Sequence, residues 1–217
     1  MPVFGTTMFG SGSGPDGIVT FTGKSGSSSD TANYSVSVDC GDGGNMVVAS
    51  YAQDNSAPTN GPQLTTWTLD GQTITAKATQ TDATDECTIS IGTCSGVSSG
   101  SNTCVMNWSS SCLRCMVFVW KVENVDIVTM EQAIDVEAYN ATMSAYKDGS
   151  VVIAATGTQS GTAFTGASGL TYHGNQAQES NATAGSALAA DANTSFSFTT
   201  SITGERAVLV GLELSKG

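Results

Sequence analysis

Apolar residues along this chain fall in short runs, and within most runs the spacing is two. In ANYSVSVD (32–39), Tyr34, Val36 and Val38 alternate with small polar residues, the pattern of a strand with one buried face. GIVTFTG (17–23) alternates in the same way. QLTTWTLDGQTITAKAT (63–79) places two β-rich runs around Asp70-Gly71 and predicts a hairpin. NMVVASYA (45–52) is instead a continuous apolar run, the mark of a strand buried on both faces. CMVFVWKVENV (115–125) reads as a central strand that ends at a polar turn near Asp126. Further strand-like runs are ECTISIGT (86–93), TCVMNWS (103–109), SVVIAATGT (150–158), GLTYHGN (169–175), TSFSFTTSI (194–202) and ERAVLVGLEL (205–214). Only Met130–Ala133 suggests a turn of helix, and the rest of 129–146 reads as a long connection. About eleven strands with frequent turn residues predict an all-β, antiparallel sandwich or barrel.

The chain also echoes itself. Met46-Val47-Val48-Ala49 aligns with Val151-Val152-Ile153-Ala154, about 105 residues on, and QLTTW near Leu64 aligns with GLTYH near Leu170. That period is too long for a solenoid and points to two topologically similar halves of one sandwich.

Composition narrows the partners. Of the 217 residues 12% are charged and 39% hydrophobic, with 25 glycines, which suits a turn-rich β protein better than a helical enzyme. Seven basic residues against a net charge of −12 cannot form the positive stripe that nucleic acid or an anionic membrane requires. Residues 1–20 lack a basic segment followed by an apolar core, so export by a signal peptide is not expected. No stretch approaches the roughly 20 apolar residues of a membrane-spanning helix. The expectation is synthesis in a host cytoplasm and release within a particle. Residues 1–16 form a glycine-rich arm with apolar anchors at Val3, Phe4, Met8 and Phe9, and a sandwich domain is expected over 17–217.

In order and pattern, Tyr34–Val38, Asn45–Tyr51, Trp67–Gln72, Val117–Asp126, Ser150–Thr156 and Ala207–Leu214 resemble the β-sandwich domains of bacteriophage virion proteins and some bacterial surface proteins. These are lectin-like, concanavalin-like jelly rolls. The resemblance implies an antiparallel jelly-roll β-sandwich with an extended N-terminal arm. It also implies a structural role in a virion, as capsid decoration (cement) or a tail-fibre component. The arm would dock on other virion proteins, and the chain would self-associate by the same arm, a trimer being one such assembly. Cys87, Cys104 and Cys115 stand where such domains carry Val, Thr or Ser.

Candidate chemistry is sparse. Cys112-Leu-Arg-Cys115 precedes a strand, not the helix that activates a redox CxxC. Five of the six cysteines crowd into 87–115, so disulfides or buried thiols are the better reading than a zinc site. Candidate pairs are Cys94 with Cys104, Cys112 with Cys115, and Cys40 with Cys87, among fifteen arrangements six cysteines allow. A Cys94–Cys104 bridge would contribute roughly 3 kcal/mol. Gly96-Val-Ser98-Ser-Gly100 matches a nucleophile elbow but sits in a loop with no helix after it. The lone His173 reads as a strand-end or turn residue. Asp39-Cys-Gly-Asp42-Gly-Gly reads as a tight turn before it reads as a calcium loop. Asp82, Asp85, Glu86, Asp126, Asp135 and Glu137 show no pairing across a groove. Trp120 shares a face with Phe118 and reads as core, which leaves Trp67 and Trp108 as candidate surface contacts to a host glycan. No catalytic set, metal or cofactor is expected. A carbohydrate-binding module or host-receptor adhesin is the alternative.

Overall fold

The computed structural model describes residues 6–9, 17–54, 61–82, 86–136, 140–144, 150–158, 164–177, 181–188, 195–200 and 207–216. The anchors Val3 and Phe4 lie outside them. All the regular elements of the described residues are strands. The first half of the chain gives β1 (Thr6–Phe9), β2 (Gly17–Ser27), β3 (Thr31–Asp39), β4 (Gly44–Gln53) and β5 (Leu64–Leu69). It continues with β6 (Gln72–Thr73), β7 (Thr75–Thr81), β8 (Cys87–Val97), β9 (Ser101–Cys112) and β10 (Arg114–Glu123). The second half gives β11 (Val125–Val136), β12 (Asn140–Ser144), β13 (Val151–Thr158) and β14 (Phe164–Ser168). Then follow β15 (Thr171–Ala177), β16 (Asn181–Leu188), β17 (Ser195–Thr200) and β18 (Ala207–Lys216).

These strands form four antiparallel sheets, two per half. The first inner sheet runs β1-β2-β10-β4-β8-β7 and the first outer sheet β3-β9-β5-β6. The second inner sheet runs β11-β18-β13-β16-β15 and the second outer sheet β12-β17-β14. Three apolar layers hold the stack together. One joins the first outer and inner sheets, one joins the two inner sheets, and one joins the second inner and outer sheets. The halves therefore do not share one pair of sheets, as the internal echo suggested, and each supplies its own pair.

Burial on both faces explains the unbroken apolar runs. Along β4, Met46, Val48 and Ala52 face the outer sheet, while Val47, Ala49 and Tyr51 face the other half. Along β10, Cys115, Val117 and Val119 face one way and Met116, Phe118, Trp120 and Val122 the other. β13 and β18 divide likewise between the central and last layers. β3 belongs to an outer sheet and keeps a strict alternation, with Tyr34, Val36 and Val38 buried and Asn33, Ser35 and Ser37 exposed.

Two expectations are corrected. The turn of helix at Met130–Ala133 is part of β11, and the connection around it carries β11 and β12. Pairing of β11 with β18 from Val125 to Val136 outweighs the weak local preference. The hairpin around Asp70-Gly71 forms, with positive φ at both residues as a type I′ turn requires, but it joins β5 to the two-residue β6 only. The chain then leaves at Ile74, whose side chain is buried, and β7 joins the first inner sheet.

Strand for strand, the halves repeat. β2, β10, β4, β8 and β7 stand in the same order as β11, β18, β13, β16 and β15, and β3, β9 and β5 match β12, β17 and β14. Irregularities repeat too. β2 bulges against β10 at Thr22, and β11 bulges against β18 at Thr129-Met130. Thr65 and Thr165 are the extra residues where β5 and β14 meet their partners, and Lys77 and His173 mark the same irregularity in β7 and β15. Bulges of this kind are built features. Ile18-Val19-Thr20 of β2 recurs in sequence as Ile127-Val128-Thr129 of β11, but one residue out of phase, since Val19 pairs with Val122 and Ile127 with Leu214 of the central layer.

The two inner sheets face each other in an approximately two-fold way, with β18 lying in addition over β7 and β8. β7 lies against β11, β2 against β15, and β4 against β13, so the first strand of each half meets the fifth of the other. At Gly157 of β13 the Tyr51 ring lies on the backbone, and its hydroxyl donates to the Thr158 carbonyl at 2.7 Å. A Cβ on Gly157 would collide with that ring. Gly157→Ala should cost about 1–3 kcal/mol, measured by chemical denaturation, and Tyr51→Phe introduced with it should not restore the loss.

Candidate functional site

The CxxC sits at a corner where the chain passes from an outer to an inner sheet. Cys112 ends β9, Cys115 lies at the start of β10, and Leu113-Arg114 makes the crossing. The Leu113 amide donates to the Gln53 carbonyl at 2.8 Å, and the Tyr34 hydroxyl donates to the Cys112 carbonyl at 2.6 Å. No helix follows, so no dipole lowers either thiol. All six cysteines are buried free thiols. Cys40, Cys94, Cys104, Cys112 and Cys115 share the layer between the first outer and inner sheets. Cys87 lies on the opposite face of the inner sheet, 3.0 Å from the Tyr51 hydroxyl. The candidate pair Cys40 and Cys87 is thus held apart, while Cys94 and Cys104 lie in one neighbourhood.

Burial makes these thiols inert. It pushes Cys94 up to about 12, with a smaller push from Cys40. It also pushes Cys112 up to about 12, with Asp54 and Asp30 adding to it. Cys87, Cys104 and Cys115 are driven up by burial as well. A thiol must ionise to react. At pH 8 the folded protein should give almost no reaction with a disulfide reagent such as Ellman's, and the unfolded chain should give six thiols. Fast reaction of any cysteine in the folded state would contradict the burial.

His173 is not at a strand end. It occupies the bulge of β15, where the added residue turns its ring inward. The ring stacks on Phe21 at 4.2 Å and meets Trp120 edge-on at 6.2 Å. Phe21 adjoins the matching bulge of β2, whose extra residue Thr22 donates its hydroxyl to the Val119 carbonyl at 3.1 Å. Two bulges, one from each half, thus meet across the central layer. Burial, and secondarily the nearby Lys24 ammonium, lower the His173 pKa to about 4. The Lys24 ammonium donates to the His173 carbonyl at 3.3 Å. The folded protein keeps the ring neutral down to about pH 4, whereas the unfolded chain takes up a proton near 6.5. The stability this creates is complete above pH 6.5 and is lost as pH falls toward 4, by on the order of 3 kcal/mol. His173→Phe keeps the stack and removes the titration. Its unfolding free energy, measured from pH 7 to 4.5, should fall less steeply than that of the parent.

Other sequence candidates resolve into structure. Ser98 belongs to the turn between β8 and β9, and its amide donates to the Asp70 carboxylate at 2.8 Å. Hydrogen bonding from Ser98, its side chain first and its amide second, lowers the Asp70 pKa. Asp39-Cys-Gly-Asp42-Gly-Gly is a tight turn with positive φ at Gly41, Gly43 and Gly44, and the Gly41 amide donates to Asp39 at 2.9 Å. Asp82 is buried and accepts from the amides of Glu86 and Cys87 at 2.8 and 2.7 Å. Asp85 and Glu137 lie outside the described residues. Among the described residues no group of three or more His, Cys, Asp or Glu side chains could hold a metal ion.

The tryptophans require a correction. Trp67 and Trp108 are 5% and 3% exposed and lie in the layer between the first sheets, against Cys104 and Cys115. They are core, like Trp120, and offer no platform to a sugar. The phase of β9 carried the signal: Cys104, Met106 and Trp108 alternate inward, with Val105 and Asn107 on the other face.

What sequence reading missed is a groove of about 560 Å³ at the seam of the two halves. Asn45, Gln72, Thr73, Thr75, Thr93 and Ser95 supply its amides and hydroxyls, and Val122, Val125 and Leu214 are among its apolar residues. Strands far apart in sequence build it, and no local motif marks it. At the opposite edge of the first inner sheet the arm residues Thr6–Phe9 add as β1, antiparallel to β2, with the Thr6 and Thr20 hydroxyls 3.2 Å apart. Met8 of that strand is 60% exposed. Compared with protein-family models, curated proteins and solved structures, the chain matches none.

Proposed function

We propose that the chain is a structural protein on the surface of a virus particle, of capsid-decoration or tail-fibre type, and that it acts by assembly rather than catalysis. The observation that carries this reading is the strand nesting. In each half the first strand pairs with the eighth, the second with the seventh and the third with the sixth: β2·β10, β3·β9 and β4·β8, then β11·β18, β12·β17 and β13·β16. We read this nesting as jelly-roll winding, an architecture that recurs in viral capsid and lectin domains. On this reading the chain is two jelly rolls in tandem, with the fifth strand moved to the inner sheet and β6 added as a short hairpin. Support comes also from the inert thiols and from the buried polar groups spent on turns and sheet corners. The arm, with Met8 exposed on an edge strand, is the docking element toward other virion proteins, and self-association, a trimer being one such assembly, would cover it. In purified particles the protein should appear as a stoichiometric component by quantitative mass spectrometry. Deleting residues 2–14 should reduce incorporation to background while leaving the β circular dichroism intact. A truncated chain that still enters particles overturns the reading.

The groove at the seam favours a second reading, a carbohydrate-binding module or host adhesin. Neutral amides and hydroxyls over apolar side chains suit an uncharged polyhydroxylated ligand. Gln72→Ala and Thr93→Val should then weaken binding on a glycan array, and a blank array on the parent protein removes this reading.

A further inference from the structure

The internal two-fold has one conspicuous exception. β1 covers the outer edge of β2, yet among the described residues β11, the counterpart of β2, pairs with β18 alone and ends its sheet. The edge that β1 covers is Gly17–Thr20, paired as Thr7 with Val19 and Met8 with Ile18. In phase, Ile127 of β11 stands where Val19 stands in β2, since Val19 pairs with Val122 and Ile127 with Leu214 of the same central layer. One chain thus carries one donor strand and two topologically equivalent acceptor edges.

We propose that the open β11 edge receives the Thr6–Phe9 strand of a second copy of this chain, in the register that sets Thr7 opposite Ile127 and Met8 opposite Asp126, which keeps the phase the arm has on β2. Strand addition of this kind supplies main-chain hydrogen bonds along an edge that is otherwise a liability. The occupant is a second copy because a single chain has only one such arm, and that arm is on β2. Residues 10–16 could span up to about 23 Å when extended, enough to carry the arm across a contact. An exchanged arm vacates its own β2, so the number of strand pairs per copy is unchanged. The link is therefore weak between dilute copies and is favoured where copies are held side by side. It joins unlike surfaces, so it closes as a pair when two copies exchange arms reciprocally and builds rings or filaments when the exchange runs from copy to copy. The inference rests on the assembly reading for its purpose, and on the internal repeat for its geometry.

The test is position-specific crosslinking. A peptide of residues 1–9 with Met8→Cys is mixed with full-length Asp126→Cys protein under copper-phenanthroline oxidation, with exposed Thr171→Cys as the control site. The native thiols are buried, and peptide mapping identifies the bridge. Full-length Met8→Cys and Asp126→Cys copies are then mixed in the same way. The expected result is a bridge at position 126 well above the control with the peptide, and an 8–126 bridge between full-length copies that grows with concentration. Crosslinking at 126 no greater than at 171 overturns the proposal. A bridge with the peptide but none between full-length copies also overturns it, because the arm then never leaves its own β2. Particles that still incorporate the protein while neither bridge forms reject this inference and leave the virion reading standing.

Discussion

Everything in this molecule depends on burying the two inner sheets against each other. A sheet with one wet face can alternate polar and apolar side chains, and a sheet covered on both faces cannot. β4, β10, β13 and β18 are therefore apolar at nearly every position, and their odd and even residues belong to different cores. Fully burying one large side chain contributes about 1.5–3 kcal/mol. Trp120, Tyr51 and Phe118 are all buried in the central layer, with Met116, Ile89, Ile91 and Ile153 beside them. Such a layer demands close fit, which is why a glycine stands where Tyr51 meets β13.

Stacked layers also account for the composition. Only the outer sheets, the edges and the turns need polar cover, and threonine and serine on strands serve that need without disturbing a pleat. A chain with 12% charged residues follows from this arrangement. So does the state of the cysteines, which behave as small apolar side chains in a layer that excludes water. CxxC at the β9–β10 corner is a spacing set by alternation around a turn. Both thiols point into the same layer because the chain reverses between them.

Legibility followed locality. β3 and the Asp70-Gly71 turn could be read because one-sided burial and positive φ leave local signatures. The 45–52 run could be read because nothing else in a β protein is apolar at every position. β11 could not, since its partner β18 begins some seventy residues beyond the end of β11, and its mix of Thr, Glu and Gln carries no period of its own. His173 was hidden by a bulge, which breaks alternation at the one residue where phase matters. The tryptophans failed differently. The phase was present in Cys104, Met106 and Trp108, and reading aromatic residues as surface platforms overrode it. The seam groove left no trace in the sequence, because its walls come from strands in both halves.

The near-symmetry of the halves bears on how the molecule can meet others. A self-complementary face is normally used once, between two copies of a chain. Here that face is consumed inside the chain, with β2 on β15 and β7 on β11, so a second copy cannot use it again. Contacts beyond the chain must fall on what the symmetry leaves over: outer faces, sheet edges and the arm. Of these the arm, like the two-residue β6, has no counterpart in the other half among the described residues, and it lies on an edge. An internally closed body with an unmatched strand on one edge has a direction. Direction is what distinguishes a component of a ring or a lattice from a self-contained dimer.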